Sequence, residues 1–321
     1  MTDLRILTGN GNPDLARKIA GELGVSISEM EVGRFADGEI RVRIDESVRG
    51  ADVFVVQPTC PPTAQNLMEL LLILDALKRA SARRSTAVIP YYGYARQEKK
   101  VKPREPISAK LVADLISVAG ADRLLTVDLH VQSIQGFFNM PVDHLPGGPL
   151  LAQDLVERSF AGADTVVVSP DVGGVGAAKT LADRLNASLA IIAKRRPEAD
   201  RVEVIQVIGE LEGKRAILID DIIDTGRSLV SAANMVAQAG ASEIYAYATH
   251  AVLSGEAVDE MEAAPIKEVV VTDTIPLPES KRRPKLRVLS MAPILAEAIR
   301  RVHGNISVST LFDRYWEEDK K

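Results

Sequence analysis

Apolar positions in this chain fall in short continuous runs separated by stretches with helical spacing, the pattern of strands buried on both faces and joined by helices. In the first half, the runs at Arg5–Gly9, Asp52–Val56, Ser85–Pro90 and Leu124–Val127 predict strands. Between them, Pro13–Leu23, opened by Asn12 and Pro13, and Thr63–Lys78 predict helices. A third helix is predicted over Ala109–Ala119, capped by Pro106-Ile107-Ser108. Gly33–Glu39 reads as a polar loop. Glu98–Pro106 is charged, carries prolines and has no period, which predicts a mobile loop. Leu145-Pro146-Gly147-Gly148-Pro149 interrupts the pattern, and the alternation then restarts. Runs at Val166–Val168, Leu189–Ala193, Ala216–Ile219, Ile244–Ala248 and Glu268–Val271 predict strands, with helices from Ala177 and around Leu229. Strands alternating with helices in both halves predict two α/β domains, each with a central, mainly parallel sheet flanked by helices. The expected boundaries are 1–146 and 147–302, with 303–321 returning to the first domain.

At 321 residues the chain is longer than one ordinary core requires. A net charge of −5 gives no electrostatic reason to expect nucleic acid or an anionic membrane. One cysteine, Cys60, excludes an internal disulfide and argues against a thiolate metal site. The only long apolar helix, near Leu67–Leu77, is interrupted by Glu69 and Asp75, so no membrane span is expected, and a reducing cytoplasm suits the composition.

Polar residues with chemical potential gather where the predicted strands end. Asp220 and Asp221 follow the Ala216–Ile219 run; Asp224, Thr225, Gly226, Arg227 and Ser228 lead into a helix. Ligands of α/β folds sit at such strand ends. Backbone N–H groups at the helix start suit a phosphate, and the acids suit sugar hydroxyls or magnesium. If Asp224 only capped the helix, the other two crowded acids would be unexplained. Three more strand ends add Asp128 and His130, Asp171, and Lys194 with Arg196. Taken together these suit phosphoryl-type transfer, in which held positive charge and metal stabilise developing negative oxygens.

The motifs GRFADGEI, YYGYARQ, REPISAKLVADL, DLHVQSIQGFF, PVDHL, SPDVGG, KRRPE and DDIIDTG span nearly the whole chain. It resembles the class I ribose-phosphate diphosphokinases, and phosphoribosyltransferases share only the last motif. The resemblance implies two phosphoribosyltransferase-type domains in a homo-oligomer, a hexamer built from dimers. It implies ATP at Phe35, Asp37, Gly38 and Glu39 of one subunit and at Arg96, Gln97 and Lys99 of its neighbour. It implies Mg²⁺ at His130 and Asp171, with Asp128 beside them. Lys194 would be catalytic together with Arg196, and ribose 5-phosphate would lie at Arg196, Asp220, Asp221 and Asp224–Ser228. An anion site for phosphate as activator and ADP as inhibitor is implied at Ser47, Arg49, Ser81, Ser307, Ser309 and Thr310. Departures from the family pattern are Glu98-Lys99-Lys100, Ser133, His144, Ala177 and Arg227. The competing readings are a phosphoribosyltransferase and a non-catalytic regulatory subunit.

Overall fold

Each apolar run becomes a strand of one of two parallel sheets in the computed structural model, which describes residues 3–195 and 204–311. The order is β1 (Leu4–Thr8), α1 (Pro13–Leu23), β2 (Met30–Arg34), β3 (Ile40–Ile44), β4 (Asp52–Val56), α2 (Thr63–Arg79), β5 (Arg84–Ile89), α3 (Ser108–Ala119), β6 (Arg123–Val127) and β7 (Val142–Leu145). Then come α4 (Gly148–Glu157), β8 (Thr165–Ser169), α5 (Val175–Leu185), β9 (Ser188–Arg195), β10 (Val204–Ile208), β11 (Arg215–Ile223), α6 (Arg227–Gln238), β12 (Glu243–Ala251), α7 (Ala257–Ala263), β13 (Glu268–Thr272), β14 (Leu286–Leu289) and α8 (Ala292–His303).

Two units result: Met1–Pro146 with Thr274–Pro276 and Ser290–Lys321, and Gly147–Asp273 with Leu277–Leu289. The first is built on a parallel sheet of order β1-β4-β5-β6-β7. Leu7, Val53, Val55, Ala87 and Ile89 point toward α2 and α3, and the alternate positions Ile6, Phe54 and Val88 are buried too. Burial on both faces explains why these strands read as unbroken apolar runs. The second unit has order β10-β9-β8-β11-β12-β13-β14, parallel except for the edge strand β10. Val166, Val168, Ala216 and Leu218 pack with α6, whereas Val167, Ile217 and Ile219 pack with α4 and α5.

Four features differ from the sequence expectation. Gly33–Glu39 is not an isolated loop but the end of an antiparallel hairpin, β2–β3, whose short strands carry too many charges to read as apolar runs. Ser108 does not cap α3; its hydroxyl donates to Gln97 Oε1 at 2.6 Å. β11 runs on through both acids to Ile223, because Ile222 and Ile223 keep pairing with His250 and Ala251 of β12. The return to the first unit starts at Ser290, not 303, because α8 buries Ile294, Leu295, Ile299 and Val302 and packs on α1.

Candidate active site

The second unit gathers its chemistry at the carboxyl edge of its sheet. β8 pairs β11 only as far as Leu218, so Asp220 and Asp221 sit on a part of β11 that extends past its neighbour. The Asp221 backbone N–H donates to Asp220 Oδ1 at 2.9 Å. Burial, then the hydrogen bond and charge of Asp221, and finally the charge of Asp171 push the Asp220 carboxyl well above the carboxylate range. Asp171 follows β8; its Oδ1 accepts from the Gly174 N–H at 2.9 Å, so it also caps the turn into α5 while remaining exposed. Gly174 sits close to Ser169 there, a Cβ lying 3.0 Å from its Oγ.

Beyond β11 the chain turns through Asp224, Thr225 and Gly226 into α6. Gly226 has φ 76°, a left-handed conformation favouring glycine. The turn is braced from behind: the Val252 and Leu253 N–H groups donate to the Ile223 carbonyl at 3.0 Å, and Ser254 N–H to the Asp224 carbonyl at 2.8 Å. The N-cap position of α6 is Gly226, which has no side chain to cap the helix, and the first N–H groups lie at the positive end of its dipole. Thr225, Arg227 and Ser228 are exposed around this anion-binding end. Arg227 is the first helical residue, so its side chain does not fill the turn.

On the other side of β8, β9 carries Lys194 opposite Ile205 of β10. The Lys194 side chain and the whole of Arg196 lie outside the described residues.

The first unit holds the remaining candidates. The hairpin turn presents Phe35, 51 % exposed, with the Arg41 guanidinium 5.8 Å from its ring centre. Asp37 Oδ1 accepts from the Glu39 N–H at 3.0 Å, and Gly38 has φ 95°. After β5, Gly93 touches Thr59 so closely that a Cβ would come within 2.3 Å of its carbonyl oxygen. Arg96, Gln97 and Lys99 are exposed on the loop that follows. Glu98 is largely buried. Burial alone would raise its carboxyl, but the Lys99 hydrogen bond, its own backbone N–H and the charges of Lys99 and His130 outweigh that and lower it. This brings the loop at 96–99 next to His130, which is exposed at the end of β6. His144, one of the departures, supports that end: its Nε2 accepts from the Leu129 N–H at 3.0 Å. Asp128 adopts φ 34° there, its N–H donating to Leu145.

Among the described residues no three His, Cys, Asp or Glu side chains form a ready-made metal cage. Magnesium is commonly held by one or two carboxylates plus substrate phosphates. The exposed Asp171 carboxylate, whose charge is felt at Asp220, fits that mode.

The anion-site candidates form two groups in the first unit. Gly50 N–H donates to the Ser81 carbonyl at 2.9 Å, joining the loops of Arg49 and Ser81. Ser307 and Ser309 hydroxyls are 2.7 Å apart, and Arg301 donates to Thr310 Oγ1 at 2.6 Å. Asp52, two residues after Gly50, ties the groups together: it pairs with Arg84, and its Oδ2 lies 2.7 Å from His303 Nδ1.

An acid-bearing strand end, a Thr-Gly turn and a helix start with a glycine N-cap on a parallel sheet define an α/β enzyme of the phosphoribosyltransferase type. The family description "N-terminal domain of ribose phosphate pyrophosphokinase" matches residues 4–120, and "phosphoribosyl synthetase-associated domain" matches 198–313. A ribose-phosphate pyrophosphokinase of Caldanaerobacter subterraneus subsp. tengcongensis is 60 % identical over 309 residues, covering 96 % of this chain and 98 % of its own length. One of Thermotoga maritima is 54 % identical, with 97 % and 98 % covered. The crystal structure of phosphoribosylpyrophosphate synthetase from Mycobacterium smegmatis superposes with a TM-score of 0.90 at 48 % identity, covering 95 % of this chain and 100 % of that one. The chain belongs to the ribose-phosphate pyrophosphokinase family and is an enzyme of that class.

Proposed function

We propose that this chain transfers the diphosphoryl group of ATP to the C1 hydroxyl of ribose 5-phosphate, giving 5-phosphoribosyl 1-diphosphate and AMP for nucleotide biosynthesis. The observation that carries this reading is the β11–α6 junction: half-buried acids at the strand end lead through a turn into a helix whose N-cap is glycine. Sugar hydroxyls donating to Asp220 and Asp221 stabilise their charge, and a 5-phosphate accepts from the N–H groups of Arg227 and Ser228, with Asp224, Thr225 and Gly226 shaping the turn. The C1 oxygen attacks the β-phosphorus, and the bond to the α-phosphate bridging oxygen breaks. Lys194 and Arg196 place positive charge where that oxygen becomes negative. Mg²⁺ supplies charge neutralisation of the triphosphate; Asp171, His130 and Asp128 are the side chains assigned to hold it.

ATP is assigned to Phe35, Asp37, Gly38 and Glu39 together with Arg96, Gln97 and Lys99 of a neighbouring copy. A homo-oligomer, built to a hexamer from dimers, is supported by α3, which starts just after the 96–99 loop. Leu111, Leu115 and Val118 make an exposed apolar stripe along it. The Arg49–Ser81 and Ser307–Thr310 groups are assigned to phosphate as activator and ADP as inhibitor, acting by differential affinity for two states. The setting proposed is the cytoplasm, where the single buried thiol of Cys60 stays reduced. Among the described residues no helix is long and apolar enough to cross a membrane.

AMP release from ATP, measured with and without ribose 5-phosphate, tests the reading. AMP formed only with the sugar phosphate is expected. Its absence, or base-dependent release of diphosphate from 5-phosphoribosyl 1-diphosphate, would overturn it.

A further inference from the structure

Glu69 is the one carboxylate of α2 that is wholly removed from water, 2 % exposed. In the sequence it is only a break in an apolar stripe. In the fold its two oxygens accept four N–H donors: the Asn10 backbone at 3.0 Å, Asn10 Nδ2 at 3.3 Å, Gln57 Nε2 at 3.2 Å and Gln65 Nε2 at 3.2 Å. Gln57 is itself fully buried and accepts from the Gly11 N–H at 2.9 Å. Together they fix the turn after β1. A Cβ on Gly9 would lie 2.5 Å from Gln57 Oε1, so the glycines there make room for the network. A buried polar group of this kind is costly unless every partner is present. Nothing in the assigned chemistry uses it.

Asn10 shows where the network leads. Its side-chain amide also reaches the Val32 carbonyl of β2 at 3.3 Å. The β2–β3 hairpin is hydrogen-bonded at the Glu29–Asp45 and Phe35–Glu39 levels, where Asp45 N–H donates to Glu29 and Phe35 N–H to Glu39. Antiparallel pairing alternates, so Val32, opposite Val42, lies in a pair whose backbone groups point outward. That outward carbonyl is the one Asn10 takes. At its base the hairpin is held separately by Glu46, which accepts from the Glu29 N–H and from Arg5, each at 2.8 Å. Met30, Val32, Val42 and Ile44 pack the rest of the ribbon on the first unit's core, and Phe35 to Glu39 form the tip that projects beyond this packing. The Val32 tether lies three residues before Phe35, roughly 10 Å along the strand.

We propose that Asn10, oriented by the buried Glu69 carboxylate, is a positioning residue for ATP: it sets the angle at which the hairpin presents Phe35, Asp37 and Glu39. This rests on the assignment of the hairpin tip to ATP. Asn10→Ala removes the tether but keeps the backbone donor to Glu69. Glu69→Gln keeps the shape but turns an NH₂ toward N–H donors, which undoes the orientation of Asn10. Steady-state kinetics of the purified oligomer, with amide hydrogen exchange over 30–44, are read for Asn10→Ala, Glu69→Gln and, as the tip control, Phe35→Ala. The expected result is a KM for ATP raised about tenfold in each of the two network variants, with kcat and the KM for ribose 5-phosphate within about twofold of the parent. Exchange over 30–44 should be faster in both. Asn10→Ser, which restores a donor, should recover part of the ATP affinity. If Phe35→Ala raises the KM for ATP and Asn10→Ala does not, the positioning role is wrong and the tip assignment stands. If exchange quickens in Asn10→Ala with an unchanged KM for ATP, the tether is only structural and the proposal also fails. If Phe35→Ala itself leaves the KM for ATP unchanged, the tip assignment fails and takes the proposal with it.

Discussion

The two edges of the seven-stranded sheet handle acidic residues in opposite ways. At the amino edge, Asp154 on α4 accepts both guanidinium N–H groups of Arg287, at 2.7 and 2.5 Å, and the Tyr247 hydroxyl at 2.8 Å. Arg158 adds Tyr247 and Glu268 to the same network. Burial works against the Asp154 carboxyl, but Arg287, Tyr247 and Arg158 outweigh it and hold it below the usual carboxylate range. At the carboxyl edge, Asp220 is half-buried, yet its neighbours are Asp221 and Asp171, and its carboxyl is pushed up instead. Neutralised acids hold a fold together; acids crowded against one another store repulsion that a bound donor or cation relieves.

The largest expected effect concerns the charge at the carboxyl edge. Lys194→Ala should lower kcat by about 10²–10³-fold, the scale for one transition-state donor, with much smaller changes in either KM. Near-normal turnover in the purified variant would remove Lys194 from the mechanism.

Exchanging each acid for its amide should then give opposite results at the two edges. Asp154→Asn leaves Arg287 and Arg158 without their shared carboxylate and should cost about 3 kcal/mol in denaturant unfolding, while the kinetic constants of the folded enzyme stay close to those of the parent. Asp220→Asn should abolish saturation by ribose 5-phosphate and leave the unliganded protein more stable, by at least about 1 kcal/mol at pH 8.5. An Asp220→Asn variant less stable than the parent at that pH would mean that the acids are not in conflict.

A pH series sharpens the same contrast. Asp154 has a lowered value in the fold, so the stability it contributes is present above the ordinary carboxylate range, about pH 4, and is lost as pH falls through the folded value below it. Asp220 has a raised value, so its folded form keeps a proton that the unfolded chain has released. Its contribution therefore declines as pH rises from about 4 toward the folded value. The stability gain of Asp220→Asn should thus be near zero at pH 4 and grow with pH, as thermal unfolding without substrate will show.

The smallest effect belongs to Arg227. As the exposed first residue of α6, it lies where a phosphate would accept its guanidinium. Arg227→Gly should raise the KM for ribose 5-phosphate about three- to tenfold and spare that for ATP, the scale of one exposed charge-assisted contact. An unchanged KM would leave phosphate binding to the backbone alone.

The parallel strands were legible because burial on both faces writes them as unbroken apolar runs, and the β11–α6 junction could be picked out as a candidate site because its acids and its Thr-Gly turn are contiguous. The hairpin escaped, since Glu31, Arg34, Arg41 and Arg43 alternate with half-buried Val32 and Val42 in strands too short and polar to stand out. Asn10 and Glu69 escaped for a different reason. They stand 59 positions apart, and neither residue type announces a role without knowledge of what it meets. α8 was placed in the wrong unit because its amphipathic pattern shows that it packs, not against what.

That helix has a consequence for how the protein is made. α1 waits for α8 to cover it, and Arg84 waits for the Val302 carbonyl, which it reaches at 3.0 Å. A nascent chain that has just cleared Pro146 thus holds every strand of its first sheet but not the helix that seals it. At about 5–20 residues per second, roughly 8–30 s of translation separate that moment from the emergence of His303. The intervening unit, complete by Leu289, is free to close first. The expected folding order is therefore the reverse of the order of synthesis. A released chain truncated after Leu289 should show a protease-resistant second unit beside a still-digestible first one, although the first was synthesised earlier.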